Sequence, residues 1–200
     1  MARAGLTADR VTEAAADLAD AVGFENVTIS ALARGFGVAD ASIYSHVKNV
    51  QDLRTRVALR AAGELSDRVT SAIAGRSGKD ALAAFAGAYR EFALAHPGRY
   101  AATQIRLDPA VVAKAAAALR GNETTSSLLR AYGLVEPDLT DAVRLLRSTF
   151  HGFTSLEAAG GFGHPRDLQA SWDRIIDALD GTLRHWPASD ARTDRDPAGV

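Results

Sequence analysis

Six apolar residues recur at a strict four-residue step in the first half of the chain: Leu53, Val57, Ala61, Leu65, Val69 and Ile73. Side chains three or four positions apart lie on one face of an α-helix, because the helix turns once in about 3.6 residues, whereas a half-buried strand requires alternation. The step therefore predicts one long helix. Asn49 is a suitable cap for its start, and glycines at positions 75 and 78 mark its end.

The same helical spacing recurs through most of the remaining sequence, and strand patterns are nearly absent. Further series are Val11, Ala14, Leu18 and Val22; Ile29, Leu32, Ala33 and Phe36; Leu82, Phe85, Tyr89 and Phe92; and Leu139, Val143, Leu146, Phe150 and Phe153. Pro109 and Pro165 occupy positions where a helix start tolerates proline. We therefore predict an all-α fold of about nine helices.

Composition excludes several kinds of site. The 200 residues include no cysteine, which excludes disulfides and thiolate metal sites. No apolar run approaches the roughly 20 residues of a membrane span, and the N-terminus lacks the apolar core of a signal peptide, so we expect a cytoplasmic protein with no membrane partner. The five histidines show no metal-ligand spacing and no phosphate-binding glycine loop precedes a helix, so we expect no metal, no cofactor and no enzyme.

The first fifty residues contain three helical patterns separated by helix-ending glycines. Thr7 can cap the first helix and Gly23 can end it, while Thr28 can open the second and Gly37 can end that one. Asp40 can cap a third helix after a tight turn. Two short helices joined by a tight glycine-containing turn, with a longer helix before them, form a helix-turn-helix unit.

The third of these helices, within ASIYSHVKN (residues 41–49), carries many small and polar residues. At about 100° per residue, Ile43 and Val47 point inward together and Ser45 lies at the centre of the opposite face. The other exposed positions are Ala41, Ser42 and Lys48, with Tyr44 and His46 on opposite edges.

Such a face suits a helix lying in the major groove of DNA, because small residues let the backbone approach base edges while longer polar chains reach the phosphates. On this interpretation Ala41, Ser42 and Ser45 face bases, and Tyr44, His46 and Lys48 position the helix. The alternative is that Tyr44 packs on the neighbouring domain and that His46 is only solvated. Against DNA binding, the first fifty residues carry four basic and six acidic side chains, and DNA affinity normally depends on phosphate neutralisation.

The segment VTISALARGFGVADASIYSHVKNVQDL (residues 27–53) resembles the helix-turn-helix motif of the TetR family of bacterial transcriptional regulators, including its late Tyr-x-His-x-Lys-Asn pattern. The resemblance implies one helix before the motif, a long linking helix after it, and then a helical ligand-binding and dimerisation domain. It implies phosphate contacts from Thr28, Tyr44, His46 and Lys48. The resemblance also implies which residues lie near the bases: Ser30, Asp40, Ala41, Ser42 and Ser45.

Phe150-His151-Gly152 is similar to the Trp-His-Gly signature of one C-terminal subclass of that family, with phenylalanine in place of tryptophan. We therefore predict a DNA-binding domain in residues 1–50 and a ligand-binding and dimerisation domain in residues 51–186. Residues 187–200 are polar with two prolines and are predicted to be disordered.

Aromatic and polar residues of the second domain predict a ligand pocket, because ligand cavities are mostly apolar with a few placed polar groups. The candidate ligand-binding residues are Phe85, Tyr89, Phe92, Tyr100, Gln104, Phe150 and His151. The alternative is that the aromatic stripe belongs to the core. We expect a small lipophilic or aromatic effector that is uncharged or weakly polar.

The last two helices carry apolar residues that the resemblance assigns to a homodimer interface and that could instead close the monomer core: Leu139, Leu146, Phe153, Leu168, Trp172, Ile175, Leu179 and Leu183. The function that we predict is a ligand-responsive repressor, released from a palindromic operator in double-stranded DNA by its effector. The alternatives are a helical enzyme with His151 near Glu157 as its acid–base candidates, a small-molecule-binding protein without DNA binding, and a protein-binding scaffold.

Overall fold

The computed structural model describes residues 6–115 and 121–187, and every regular element in these ranges is helical. The α-helices are α1 Ala8–Val22, α2 Ile29–Phe36, α3 Asp40–Tyr44, α4 Val50–Ile73, α5 Gly78–Ala95, α6 Pro97–Thr103, α7 Pro109–Ala115, α8 Gly121–Arg130, α9 Asp138–Ala158 and α10 Leu168–Arg184. The all-α prediction is confirmed, with one helix more than expected. The predicted disordered segment, apart from Pro187, lies outside the described residues.

Local sequence sets several helix ends as predicted. The Thr7, Thr28 and Asn49 side chains each accept a backbone N–H bond in the first turn of α1, α2 and α4, at 3.2, 3.2 and 2.8 Å. Gly37 ends α2 in the left-handed conformation, with φ at 66°, which costs glycine little. These side-chain bonds satisfy donors that a helix start otherwise leaves unpaired.

Two helix starts differ from the prediction. Ala39, not Asp40, is the cap of α3, and the Asp40 carboxylate accepts a hydrogen bond from the Ser30 hydroxyl instead. Helix α10 begins at Leu168, capped by Asp167, and not at Pro165. At α3 a tertiary partner takes the carboxylate that the sequence offered as a cap, whereas at α10 a carboxylate two residues after the proline supplies the cap.

The described residues form two hydrophobic cores, and α4 passes through both. The first core joins α1, α2, α3 and the first half of α4; Ile43, Leu53 and Val57 are fully buried in it. Val22, expected there, is the last residue of α1 and is 46% exposed. Because α4 is continuous, the division into domains after residue 50 stays a prediction.

The second core contains α5, α8, α9, α10 and the C-terminal half of α4. Six of the eight apolar residues predicted for a dimer interface are buried here within one chain, and the other two pack against this core: Leu139, Leu146, Phe153, Trp172, Leu179 and Leu183, then Leu168 and Ile175. Helical periodicity identifies a buried face but not the surface that covers it. These side chains therefore close the monomer core.

Helix α6 lies between the two cores. It contributes Ala102 to the first core and Tyr100 to the second. Its Gly98 lies directly on the backbone of α1, because a Cβ added there would be 2.0 Å from the carbonyl carbon and oxygen of Ala19. A glycine is therefore required for α6 to approach α1 this closely.

Within the described ranges, no helix is both long enough and apolar enough to cross a bilayer.

Candidate functional site

Helices α2 and α3 form the predicted helix-turn-helix, and α3 is shorter than the sequence indicated. It ends at Tyr44, and residues 45 and 46 continue as a turn. The inward positions are nevertheless as the helical wheel predicted, because the Val47 N–H still donates to the Ile43 carbonyl at 3.2 Å. Ile43 and Val47 are 0% and 2% exposed.

The side chains predicted to meet DNA lie on the outer side of this unit. Thr28, Ser30, Asp40, Ala41, Tyr44, Ser45 and Lys48 are exposed, and Ser42 and His46 are partly buried. Tyr44 is 52% exposed, so about half of its surface is open to a partner. A face of this kind is open to a partner as large as a DNA duplex.

Three of these residues also have a structural role. Thr28 Oγ1 accepts the Ala31 N–H, which leaves its own hydroxyl proton available to a phosphate. The Ser30 hydroxyl donates to Asp40, and this bond ties the start of α2 to the start of α3. Thr28 and Ser30 therefore hold the unit together and still lie on its exposed side.

Lys48 is held at its backbone while its side chain extends into solvent. Its N–H donates to Asp52 Oδ2 at 2.9 Å, and Arg56 Nε lies 3.2 Å from the same carboxylate. Burial acts to raise the pKa of Asp52, but the Lys48 N–H and Arg56 outweigh it, so this pKa is lowered. The carboxylate is thus ionised at neutral pH and fixes the point from which the lysine reaches outward.

The acidic residues of the first fifty are mostly neutralised by helices that follow. Glu13 pairs with Arg60 of α4, and Glu25 pairs with Arg54 of the same helix. Asp17 and Asp20 both pair with one arginine of α6, as described next. Four of the six carboxylates that argued against DNA binding therefore belong to ion pairs with α4 and α6.

Arg99 of α6 is the centre of an ion-pair cluster that joins three helices. Its guanidinium contacts Asp17 and Asp20 of α1 and lies 3.3 Å from Glu64 of α4. His96 Nδ1 lies 3.1 Å from the same Asp20 carboxylate. The Arg99 side chain is 11% exposed, and pairs at this depth are screened less than surface pairs. The cluster therefore couples the position of α6 to that of α1.

A cavity of about 380 Å³ lies on the other side of α6, within the range typical of small-molecule sites. Its walls come from α4, α5, α6, α7, α8, α9 and the segment after α6. Its lining residues are Ala62, Leu65, Ser66, Val69, Phe85, Tyr89, Thr103, Gln104, Ile105, Leu107, Val112, Thr125, Val143, Leu146, Arg147 and Phe150.

Four of the predicted ligand-binding residues line this cavity and three do not. Phe85, Tyr89, Gln104 and Phe150 line it. Phe92 is fully buried in the second core, with Arg68 over its ring. Tyr100 and His151 form a hydrogen-bonded chain behind Tyr89, with Tyr89 Oη to Tyr100 Oη at 2.8 Å and Tyr100 Oη to His151 Nδ1 at 2.7 Å. They support the wall and do not face the cavity.

Sequence patterns did not indicate that α4 and Arg147 contribute to the cavity. Leu65 and Val69 were assigned only to a long helix, although both line the cavity. Ser66, a serine beside that apolar series, is 4% exposed and its hydroxyl has no hydrogen-bond partner in the described chain. The sequence signal for Ser66 was its position, as a polar residue, next to the apolar series of α4. No spacing rule distinguished Arg147 from other surface arginines of α9.

The acid–base pair required by the enzyme alternative is not assembled. Glu157 accepts two hydrogen bonds from Arg90, at 2.6 and 2.7 Å, while His151 bonds to Tyr100. Both members of the Arg90–Glu157 pair are largely buried, with 13% and 14% of their side chains exposed. Among the residues that the structure describes, no three acidic or histidine side chains cluster as a metal site would require.

Comparison with known proteins identifies related sequences over both halves of the chain. Residues 11–57 match the family described as "Bacterial regulatory proteins, tetR family", and residues 82–179 match "Tetracyclin repressor-like, C-terminal domain". The assignment to the Trp-His-Gly subclass stays a prediction.

Two relatives and one solved structure extend these matches to most of the chain. The "Uncharacterized HTH-type transcriptional regulator Rv0681" of Mycobacterium tuberculosis (strain ATCC 25618 / H37Rv) is 36% identical over 162 residues, which is 78% of this chain and 72% of that protein. "Uncharacterized HTH-type transcriptional regulator YobS" of Bacillus subtilis (strain 168) is 31% identical over 172 residues, 84% and 88% of the two chains. A protein of unknown function from Rhodococcus sp. RHA1 has a similar fold, with a TM-score of 0.75 at 23% identity, over 91% of this chain and 97% of that one.

Proposed function

Since the chain belongs to the TetR family of DNA-binding transcriptional regulators, we propose that it is a homodimeric repressor released from a palindromic operator by a small lipophilic or aromatic effector. The observation that carries the ligand response is the position of α6. Its Thr103 and the adjoining Gln104 line the cavity, while its Gly98 and Arg99 contact α1. One short helix thus touches both the effector site and the DNA-binding unit.

The DNA contact uses the exposed side of α2 and α3. Lys48, Tyr44 and Thr28 bind phosphates, and the short side chains of Ala41, Ser42 and Ser45 allow α3 to lie close to base edges. No arginine lies among these base-facing positions, so hydroxyl and methyl contacts together with DNA shape supply the specificity.

Ligand binding is transmitted through α4 and α6. Leu65 and Ser66 of α4 line the cavity, and on the same helix Arg60 contacts Glu13 of α1 while Glu64 contacts Arg99 of α6. A ligand that moves either helix changes how α1, and with it α3, is held. The effector releases DNA only if it binds the two arrangements with different affinity, and operator DNA must then weaken effector binding by the same factor.

Dimerisation follows from the symmetry of the target. A two-fold protein presents two copies of α3 to half-sites separated by about 34 Å, one turn of DNA, or a multiple of it. Since the inner faces of α9 and α10 are used within one chain, the contact between copies uses the outer faces of these helices, including Leu156, which is 49% exposed.

The test is selection of bound duplexes from random DNA by the full-length protein, with the mass of the complex measured in parallel. The proposal expects a palindrome with two copies of the protein bound. Retention of no sequence at low salt would overturn the regulator function and leave the small-molecule-binding alternative. An enriched site without symmetry would contradict the dimer.

Four substitutions then separate positioning from specificity. Tyr44→Phe and Lys48→Ala should weaken binding to all sequences alike, and Lys48→Ala should reduce the salt dependence by about one phosphate per subunit. Ser42→Ala and Ser45→Ala should change which sequence is preferred. If all four variants behave identically in competition gel shifts, the division of roles on α3 is wrong.

A further inference from the structure

Among the described side chains that line the cavity beside α6, one is charged, and it is a cation. This residue is Arg147 of α9, which lies at the solvent-exposed edge of the cavity, and none of the described lining residues is an aspartate or a glutamate. The Arg147 guanidinium lies 3.4 Å from Gln104 Oε1 and has no carboxylate partner among the side chains that the structure describes. Val143 and His151, one turn away along α9, are not acidic. An arginine placed over an apolar cavity without a counter-ion is a natural partner for an anion.

No described group in the cavity interior carries a negative charge that would compensate this cation. Tyr89 is the titratable group facing the interior, and burial followed by its hydrogen bond to Tyr100 raises its pKa, although Arg147 acts in the opposite direction. The phenol is therefore neutral at physiological pH. The remaining walls are apolar or carry neutral hydroxyl and amide groups.

A second, independent observation also indicates a ligand. Ser66 is 4% exposed on the cavity wall, and its hydroxyl has no hydrogen-bond partner among the described residues. A buried hydroxyl without a partner is costly. An oxygen of a bound molecule would satisfy it.

We propose that the effector is an amphipathic monocarboxylate: its apolar body fills the cavity between Leu65, Phe85 and Phe150, its carboxylate binds Arg147, and Ser66 donates to one of its oxygens. This assignment rests on the proposed function and names the chemical class of its effector. It departs from the sequence-based expectation of an uncharged or weakly polar molecule, because a carboxylate is charged. Carboxylate binding would also engage Gln104, the residue that follows α6, because its side-chain amide already contacts Arg147.

The test compares matched acids and primary amides on the purified full-length protein by calorimetry. The probes are 1-naphthoate with 1-naphthamide and octanoate with octanamide. The acid of each pair should bind about tenfold or more tightly than its amide, the effect of one charge-assisted hydrogen bond. Arg147→Gln should weaken binding of the acid and so bring the affinities for acid and amide together. Ser66→Ala should weaken binding of the acid both in the parent protein and in the Arg147→Gln variant.

Arg144→Gln is the control for general loss of charge. Arg144 is on the same helix and 76% exposed, pairs with Asp141 and does not line the cavity, so its removal should leave the acid-to-amide ratio unchanged. Both arginines are exposed, so thermal unfolding should show that the variants fold as the parent does. Equal binding of acid and amide, a ratio unaffected by Arg147→Gln, or no binding of any probe up to about 1 mM would overturn the monocarboxylate assignment.

Operator binding by the same preparations distinguishes this failure from failure of the repressor function. A protein that binds its selected operator but prefers the amides keeps its function and loses the carboxylate site. A protein that binds the acids with the expected Arg147 dependence but retains no DNA keeps the site and loses the repressor function.

Discussion

The residues of the helix-turn-helix unit and those of the cavity are distributed along the chain in different ways. The candidate DNA-binding residues all lie between Thr28 and Lys48, on two short helices joined by one turn. The cavity takes its lining from six helices, with Ala62 and Phe150 near its two ends in sequence. A contiguous unit can preserve its surface whatever it is attached to, whereas a cavity assembled from many helices changes when any of them moves.

This difference gives α6 its importance. Arg99 of α6 pairs with Asp17 and Asp20 of α1. The next residue of α6, Tyr100, supports the cavity wall through its hydrogen bond to Tyr89. We call the first core with the helix-turn-helix unit the first region, and the second core with the cavity the second region; α6 is the contact between them.

The largest loss of stability is expected for an ion pair that is buried beside the second core. Arg90→Met leaves Glu157 without its partner, and since both side chains are largely buried the free energy of unfolding should fall by about 3 kcal/mol. Arg54→Met is the matched control in the first region. Its partner Glu25 is 75% exposed, so the loss should be about 1 kcal/mol or less. Urea unfolding curves measure both, and equal losses would contradict the contrast.

The contact between the regions is tested by Gly98→Ala. The added methyl group meets the backbone of Ala19, which cannot rotate away, so α6 must shift and unfolding should become easier by about 2 kcal/mol. Operator affinity should fall as well. Gly87→Ala, in α5 with no atom within 4 Å of the added Cβ, should be neutral or stabilising by a few tenths to about 1 kcal/mol. A Gly98→Ala protein with parental stability and DNA binding would show that α6 does not need this close approach.

The smallest change in stability is expected at acid pH, when one carboxylate in each region is replaced. Hydrogen bonds from Arg184 and Tyr132 hold the pKa of Asp180 below its usual range, and the pKa of Asp52 is lowered despite burial, by the Lys48 N–H and Arg56. A lowered folded-state pKa stabilises the protein above the unfolded value of about 3.9, and this contribution is lost as pH falls further.

Asp180→Asn and Asp52→Asn should each make stability less dependent on pH below about 4. Asp180 is the less exposed of the two, so its variant should show the larger change in acid unfolding followed by circular dichroism. A variant whose acid unfolding curve keeps the parental slope would show that the carboxylate does not contribute.

The sequence predicted the helix-turn-helix unit in detail because the forces that shape it are local. Thr7, Thr28 and Asn49 cap their helices with bonds to residues three positions away, and Gly37 ends α2 by its own backbone freedom. The inward positions of Ile43 and Val47 follow from helical geometry alone. Asp40 is the exception, since its carboxylate bonds to Ser30, ten residues earlier, instead of capping α3.

The cavity was only partly predictable, because periodicity shows that a helix face is covered without showing what covers it. Phe85, Tyr89 and Phe92 share one face of α5, yet two of them line the cavity and Phe92 lies in solid core. Leu139 and Trp172 were candidates for a contact between copies and are instead buried within one chain. Deciding between these outcomes requires the relative positions of several helices.

The sequence by itself determined that this chain is helical, where most of its helices begin and end, and which side chains of α3 point away from the core, because those properties depend on neighbours within one or two turns. Only the tertiary structure decided that the acidic residues of α1 form ion pairs with Arg60 and Arg99. It also decided that Ser66 and Arg147 share a cavity. These partners are tens of residues apart, and their meeting depends on how the helices pack, which local patterns do not specify.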